Sequence, residues 1–388
     1  MNQLYLTAEH NLFREGLRDF LQKEVKPHVD RWEEKGQIDR DIWKKFGEMG
    51  YFGINYPEKY GGLELDLFYT LIFLEELQRV HSGGFAAAMW AHTYLAMTHL
   101  NEEGDEFIKE KYLVPSITGD KIGCLGISEP FGGSDVAGIR TTARRDGDDW
   151  VINGSKTFIT NGVYADYMVI AAKTDPDSGG RGISIFVTDS STDGITTSKL
   201  DKLGWRASDT AEIAFDNVRI PSNQLIGAEN AGFGYIMQHF SLERLIMGIN
   251  AHARAEYAME YASQYMSERS AFGKKLNEFQ ALRHRFSQLY AEVDMIKSYN
   301  YQVIKRLNDG EYVVKEATIS KLLSTQIADK VIYECLQFLG GYGYMEEYPL
   351  ARMFRDSRLG PIGGGTSEIL KEILSKILID KKQYEKKI

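Results

Sequence analysis

No proline stands between Pro221 and Pro349. Proline removes a backbone donor and clashes with the preceding helical turn, so its absence over such a length permits long, unbroken helices. Apolar residues recur there at helical spacing, and the stretch can be cut near Gly273 and near Gly310. The pattern predicts three long helices over about 233–268, 276–308 and 311–339. The glycine-rich G-G-Y-G-Y follows, and a last helix begins at about 366.

Upstream the signal changes. Pro115, Pro130, Pro176 and Pro221 punctuate a segment of short β-favouring runs, among them Y-M-V-I-A-A and I-S-I-F-V, separated by turn sequences such as P-D-S-G-G. A mostly antiparallel β-domain is expected there. Before it, Leu12, Phe13, Leu17, Phe20, Leu21 and Val25 mark an amphipathic helix that opens a helical region. The expected architecture is multi-domain α+β: an N-terminal helical domain over 1–122, a middle antiparallel β-domain over 123–232, and a C-terminal four-helix-bundle domain over 233–388. Crevices between such domains are favoured places for a site.

Composition excludes several function classes. A net charge of −9, with no basic cluster interleaved with aromatics, argues against nucleic acid as a partner. Cys124 and Cys335 are the only cysteines and form no C-x-x-C pair, which speaks against a disulfide framework or a zinc–cysteine site. No apolar run is long enough for a membrane span, and the first residues read as neither a secretory nor a transit segment. The expected location is the cytoplasm, or the mitochondrial matrix as a mature form. The phosphate-binding loop, the H-E-x-x-H metal pair and the G-x-S-x-G elbow are all absent. His92 and His99 share a helical face, but two such residues are more often packing than ligands, and no metal is expected.

Two stretches carry more information. The first is G-I-S-E-P-F-G-G-S-D-V-A-G, residues 126–138; the second runs from Gln337 through Gly340, Gly341, Gly343, Tyr344 and Glu347 to Arg352 and Asp356. Alone, the first is equally a glycine-rich turn, although bare backbone N–H groups beside a hydroxyl suit phosphate or a flavin edge. Together they resemble the two signature motifs of the acyl-CoA dehydrogenase family. F-I-T-N-G at 158–162, D-K-L-G-W-R-A-S-D-T at 201–210, E-R-S-A-F-G-K at 268–274 and G-T-S-E at 365–368 fit the same family, in order.

The resemblance implies FAD as cofactor, with Leu125, Ile127, Ser128, Gly133 and Ser134 along the flavin and Ser134 also facing coenzyme A. Phe158, Ile159 and Thr160 would cover its other side, Phe158 standing where many relatives have tryptophan. Arg269, Phe272, Gln280, Gln337, Gly340 and Gly341 match positions that hold the adenine half of FAD from a neighbouring subunit. A homo-oligomer is therefore implied, in this family usually a tetramer. Without that match, Arg269 reads as a solvated charge at a helix end. Thr366, Ser367 and Glu368 would also contact FAD.

The implied reaction is α,β-dehydrogenation of an acyl-CoA thioester to a trans-2-enoyl thioester. A carboxylate must take a weakly acidic α-proton, so it needs a desolvated setting that raises its pKa. In most of the family that glutamate directly precedes a Gly-Thr pair. Here the pair is Gly365-Thr366, and Gly364 precedes it. The long-chain and isovaleryl-CoA dehydrogenases keep the base on an earlier helix, in a Glu-Arg-Leu motif, and Glu243-Arg244-Leu245 matches it. Independently, helical spacing aligns Glu243 with Ile236, Phe240 and Met247, which puts a carboxylate on an apolar stripe. From that spacing alone, Glu243 is also readable as the structural partner of an arginine or lysine.

Arg244 and Ser241 are expected at the substrate end of the site, Gly180 and Arg181 at coenzyme A, and Tyr235 at the acyl cavity unless it is simply core. Gly363, Gly364 and Gly365 read as a bare backbone wall between thioester and flavin. The resemblance further implies electron-transfer flavoprotein as electron acceptor. Three other readings stay open: an isovaleryl-CoA-type dehydrogenase of short branched substrates, a flavin oxidase or monooxygenase, and a catalytically silent acyl-CoA-binding protein on the same fold.

Overall fold

The computed structural model describes residues 5–384. The N-terminal region is helical. Helix α1 (Ala8–Phe20) starts at Thr7, whose side chain accepts the His10 N–H while the His10 ring accepts the Thr7 N–H. Helices α2 (Leu67–Leu77) and α3 (Gly83–Ala91) are apolar nearly all round, so both are interior helices. Two glutamates on α2 are exceptions that knit the fold. Glu75 is held by Arg14 at 2.8 Å, His252 at 3.1 Å and Tyr301 at 3.0 Å. Glu76 takes Arg18 at 2.8 Å.

The middle region is an eight-stranded sheet of β1 (Gly123–Gly126), β2 (Thr142–Asp146), β3 (Asp149–Thr160), β4 (Tyr167–Lys173), β5 (Ile183–Asp189), β6 (Ile195–Lys199), β7 (Thr210–Pro221) and β8 (Leu225–Ile226). The order is β6-β7-β3-β2-β4-β5-β8, with β1 paired to β4. Most pairings are antiparallel, as the turn-rich sequence predicts. Two are parallel, β1 with β4 and β2 with β4, because other strands intervene in the chain between the members of each pair, so neither pair closes as a hairpin.

The C-terminal region holds α4 (Gly232–Glu268), α5 (Gln280–Asn308), α6 (Val314–Phe338), α7 (Pro349–Ser357) and α8 (Ser367–Leu378). Helices α5 and α6 start a few residues later than expected, since Leu276–Glu278 forms a 3-10 turn and Val313 is not helical. Helix α7, which the sequence reading passed over, begins with Pro349, a residue well suited to a first helical turn. Gly248 lets α4 and α6 approach closely: a Cβ there would lie 2.3 Å from Ser320 Oγ.

The three regions are bolted together by buried polar groups. Asp356 on α7 accepts the Gly83 N–H at 2.8 Å and the Trp205 N–H at 2.6 Å. Glu103 accepts from His99 at 3.3 Å and from His239 of α4 at 2.8 Å, clamping the N-terminal helices one turn before Glu243.

Candidate active site

The first turns of α4 are apolar, and Ile236, Phe240, Phe233 and Tyr235 share one hydrophobic cluster with Leu125 and Ile127 at the end of β1. This packing sets the β-domain against α4 just before Glu243. Glu243 lies deep in the protein but keeps part of its surface accessible. Among the described residues no hydrogen bond or ion pair engages its carboxylate. Burial raises its pKa above the usual carboxylate range, and the positive charges of Arg244 and Lys321 oppose the shift only in part.

Across from it runs the loop before α8. Ile362 and Gly363 both donate to the Leu359 carbonyl at 2.9 Å, after which Gly364 and Gly365 turn left-handed at φ +60° and +90°. A Cβ on Gly364 would meet Met247 Sδ at 2.5 Å and Glu243 Oε1 at 3.8 Å. With no side chain at Gly364, Met247 and Glu243 on α4 stand directly against the loop. The N–H groups of Gly364, Gly365 and Thr366 have no partner among the described residues. Thr366 caps α8, its hydroxyl accepting the Ile369 N–H at 3.3 Å; Ser367 is buried and Glu368 exposed in the first turn.

Sequence reasoning missed one neighbour. Lys321, fully buried on α6, donates to the Gly365 carbonyl at 2.6 Å. The available signal was a lysine on the inward stripe of α6, in line with Ala317, Ser324 and Thr325. Burial brings its ammonium down to about 8, the positive charge of Arg244 adding to the fall.

Arg244 and Ser241 are both buried, and Arg244 Nε and Ser241 Oγ have no hydrogen-bond partner among the described residues. Orphaned buried polar atoms are costly, so each is a candidate for a polar partner. Gly180 lies against Phe233 at the start of α4, a Cβ there standing 3.3 Å from its ring, and Arg181 is exposed beside it. Tyr235 turns back onto the preceding loop, its hydroxyl accepting the Ala228 N–H at 3.1 Å.

The glycine-rich loop after β1 is held from beneath. Lys156 Nζ, fully buried, lies 2.7 Å from Glu129 Oε1 and 3.2 Å from the Ile127 carbonyl. Glu129 also accepts the N–H groups of Arg140 at 2.6 Å and Thr141 at 3.0 Å. Held this way, Gly133 and Ser134 stand exposed, and the N–H groups of Ser128, Gly133 and Ser134 carry no partner among the described residues. One extra residue bulges β3 between Lys156 and Ile159, and Phe158 adopts φ +61° with its ring 72% exposed. The Ile159 side chain points the other way, into the sheet core, so only its backbone can face a ligand there. Thr160 is half-buried.

A further set lies at the far end of the C-terminal helices. Arg269 ends α4 and sits over the Tyr342 ring at 5.6 Å, bringing it beside Gly340 and Gly341. It makes no ion pair among the described residues. Gln280, Gln337, Gly340 and Gly341 are exposed, and Phe272 is 97% exposed at φ +51°.

Models of the acyl-CoA dehydrogenase N-terminal, middle and C-terminal domains match residues 7–120, 124–218 and 230–379. The chain belongs to the acyl-CoA dehydrogenase family. The mouse mitochondrial long-chain specific acyl-CoA dehydrogenase is 37% identical over 96% of this chain and 87% of its own. The Arabidopsis thaliana mitochondrial isovaleryl-CoA dehydrogenase is 35% identical over 94% and 90%. Among solved structures, an acyl-CoA dehydrogenase from Geobacillus kaustophilus superposes with a TM-score of 0.93 at 40% identity, covering 97% of this chain and 99% of that one. A glutaryl-CoA dehydrogenase from Mycobacterium smegmatis, solved with FADH2, is 28% identical with a TM-score of 0.92 over 99% and 97%.

Members of the acyl-CoA dehydrogenase family are FAD-dependent oxidoreductases, and this chain has the parts to hold FAD. Unpartnered N–H groups at Ser128, Gly133 and Ser134 suit the polar edge of a flavin, and the exposed Phe158 ring suits its face. No atom other than their chain neighbours lies within 4 Å of a Cβ added at Gly340 or Gly341, which leaves room for a pyrophosphate beside the unpaired Arg269. Among the described residues no helix is long and apolar enough to cross a membrane.

Proposed function

We propose that Glu243 is the base of an FAD-dependent α,β-dehydrogenation of an acyl-CoA thioester, giving the trans-2-enoyl thioester. The observation that carries this reading is a deep, unpaired carboxylate with a raised pKa, facing a loop whose N–H groups are free. Burial makes the carboxylate basic enough to take the α-proton. The N–H groups of Gly364, Gly365 and Thr366 are the donors available to a thioester carbonyl, where they would stabilise developing enolate charge. Bound FAD supplies the acceptor for the β-hydrogen, which leaves as hydride. Leu125, Ile127, Ser128, Gly133, Ser134, Phe158, Thr160 and Thr366 to Glu368 would hold the flavin half. Ser134, Gly180 and Arg181 would meet coenzyme A, while Ser241 and Arg244 bind at the substrate end.

The substrate is a long-chain or branched acyl-CoA, in line with the long-chain and isovaleryl relatives. The exposure of Arg269, Phe272, Gln280, Gln337, Gly340 and Gly341 fits a homotetramer in which this face completes a neighbour's FAD site. Electron-transfer flavoprotein is the acceptor. A structure described as the electron transferring flavoprotein of Acidaminococcus fermentans contains a chain 32% identical to this one over 96% of it, with a TM-score of 0.93.

The test is anaerobic bleaching of the bound flavin by acyl-CoAs of graded length and branching. Glu243→Gln should slow bleaching by roughly 10²–10⁴-fold, the usual contribution of a general base. An unchanged rate would overturn the assignment. Rapid air reoxidation of the bleached enzyme would make it an oxidase instead.

A further inference from the structure

Lys321 has three N–H donors and a charge, and it lies wholly inside the protein. Its one hydrogen bond runs to the Gly365 carbonyl, and it forms no ion pair among the described residues. A buried ammonium so sparsely satisfied is expensive unless its position is used. Helix α6 delivers it to that position, since Gly248 allows α4 and α6 to close to the backbone.

We propose that Lys321 is a positioning residue for this reaction, pinning the Gly364–Gly365 backbone and setting the charge balance around Glu243. The inference rests on the reading of Glu243 as base. Two geometric facts support it. The Gly365 carbonyl that Lys321 holds belongs to the same left-handed turn that brings Gly364 against Met247 and Glu243. The same bond orients that turn, so the free N–H groups of Gly364 and Gly365 depend on it for direction.

The charged groups around the pair come from three elements. Glu243 feels Arg244 on its own helix and Lys321 from α6. Lys321 feels Glu243, Arg244 and, from the first turn of α8, Glu368. Lys321 is the one cation among these that also touches the loop. Removing its charge while keeping a donor should therefore raise the pH at which Glu243 ionises without collapsing the turn.

Lys321→Gln does this, and Lys321→Met removes both charge and donor. The Glu243 carboxylic acid can be followed in the resting, FAD-loaded enzyme by infrared titration, its band assigned by subtracting Glu243→Gln. We expect Lys321→Gln to retain FAD and to move the midpoint up by roughly one pH unit. The midpoint of flavin bleaching against pH should move with it, and Lys321→Arg should restore both. An unmoved infrared midpoint in Lys321→Gln overturns the proposal. A second readout needs only folded protein: at pH 8, Lys321→Met should lower the melting temperature more in the wild type, where it strands a carboxylate, than in Glu243→Gln. Equal lowering in both backgrounds also overturns it. Wild-type bleaching by Glu243→Gln alone would instead sink the base assignment, independently of any Lys321 variant.

Discussion

The Cβ that Gly364 lacks would stand 3.8 Å from Glu243 Oε1. The position where most of the family carries its base and the position that carries a carboxylate here, remote in sequence, therefore open onto one space. A glutamate at either place would deliver a carboxylate to the same neighbourhood.

Moving the base should consequently recover chemistry. In Glu243→Gln, adding Gly364→Glu should restore flavin bleaching at least tenfold over the single variant, though below wild type. The new side chain must displace Met247 Sδ, 2.5 Å from its Cβ, and hold φ +60°, a conformation costing a non-glycine residue about 1–2 kcal/mol. A lower melting temperature should accompany the recovery. No gain over Glu243→Gln would show that the two positions do not share a substrate.

Glu243 should also cost stability at neutral and alkaline pH. Its folded pKa is raised, so the neutral form is favoured in the fold and the associated stability is lost as pH rises through that value. Glu243→Gln should therefore melt higher than wild type at pH 8, with the difference closing towards pH 5. Differential scanning fluorimetry across that range checks it; a constant offset would contradict the raised pKa.

The Lys156–Glu129 pair makes a separate stability prediction. Both groups are buried, and removing one partner of such a pair typically costs about 3–5 kcal/mol. Lys156→Met should lower the melting temperature by several degrees and release FAD more readily, because the Ile127 carbonyl loses its support. Adding Glu129→Gln should recover part of the loss. If Lys156→Met retains FAD and stability unchanged, the loop is not held from beneath as described.

Arg269 should matter to the cofactor and not to the fold of the chain. It is exposed and unpaired, so Arg269→Ala leaves no buried group stranded. A charge-assisted hydrogen bond contributes about 1.5–3 kcal/mol, which predicts FAD binding weaker by roughly 10–100-fold. Equilibrium dialysis of FAD, with light scattering for the assembly state, provides the measurement.

Much of this is legible in the sequence. The proline-free stretch and its apolar period forecast α4, α5 and α6, and the tail after Gly365-Thr366 forecast α8, because helical burial is written at local spacing. The stripe through Ile236, Phe240 and Met247 placed Glu243 inward for the same reason. What spacing could not reveal was Phe158 against Ile159. Simple alternation assigns them opposite faces, but only the bulge in β3 decides which one faces outward, and that bulge depends on the pairing with β7.

Sequence by itself determined the family, the helical and β regions, and the absence of a glutamate before Gly365-Thr366. Tertiary structure alone decided that Gly364 and Glu243 adjoin, that Lys321 reaches the Gly365 carbonyl, and that Arg244 and Ser241 keep unpaired buried atoms. The division has a physical cause. Periodicity reports which side of an element is buried, through short-range geometry. Which side chains meet there depends on packing between elements far apart in the chain, and no local pattern records it.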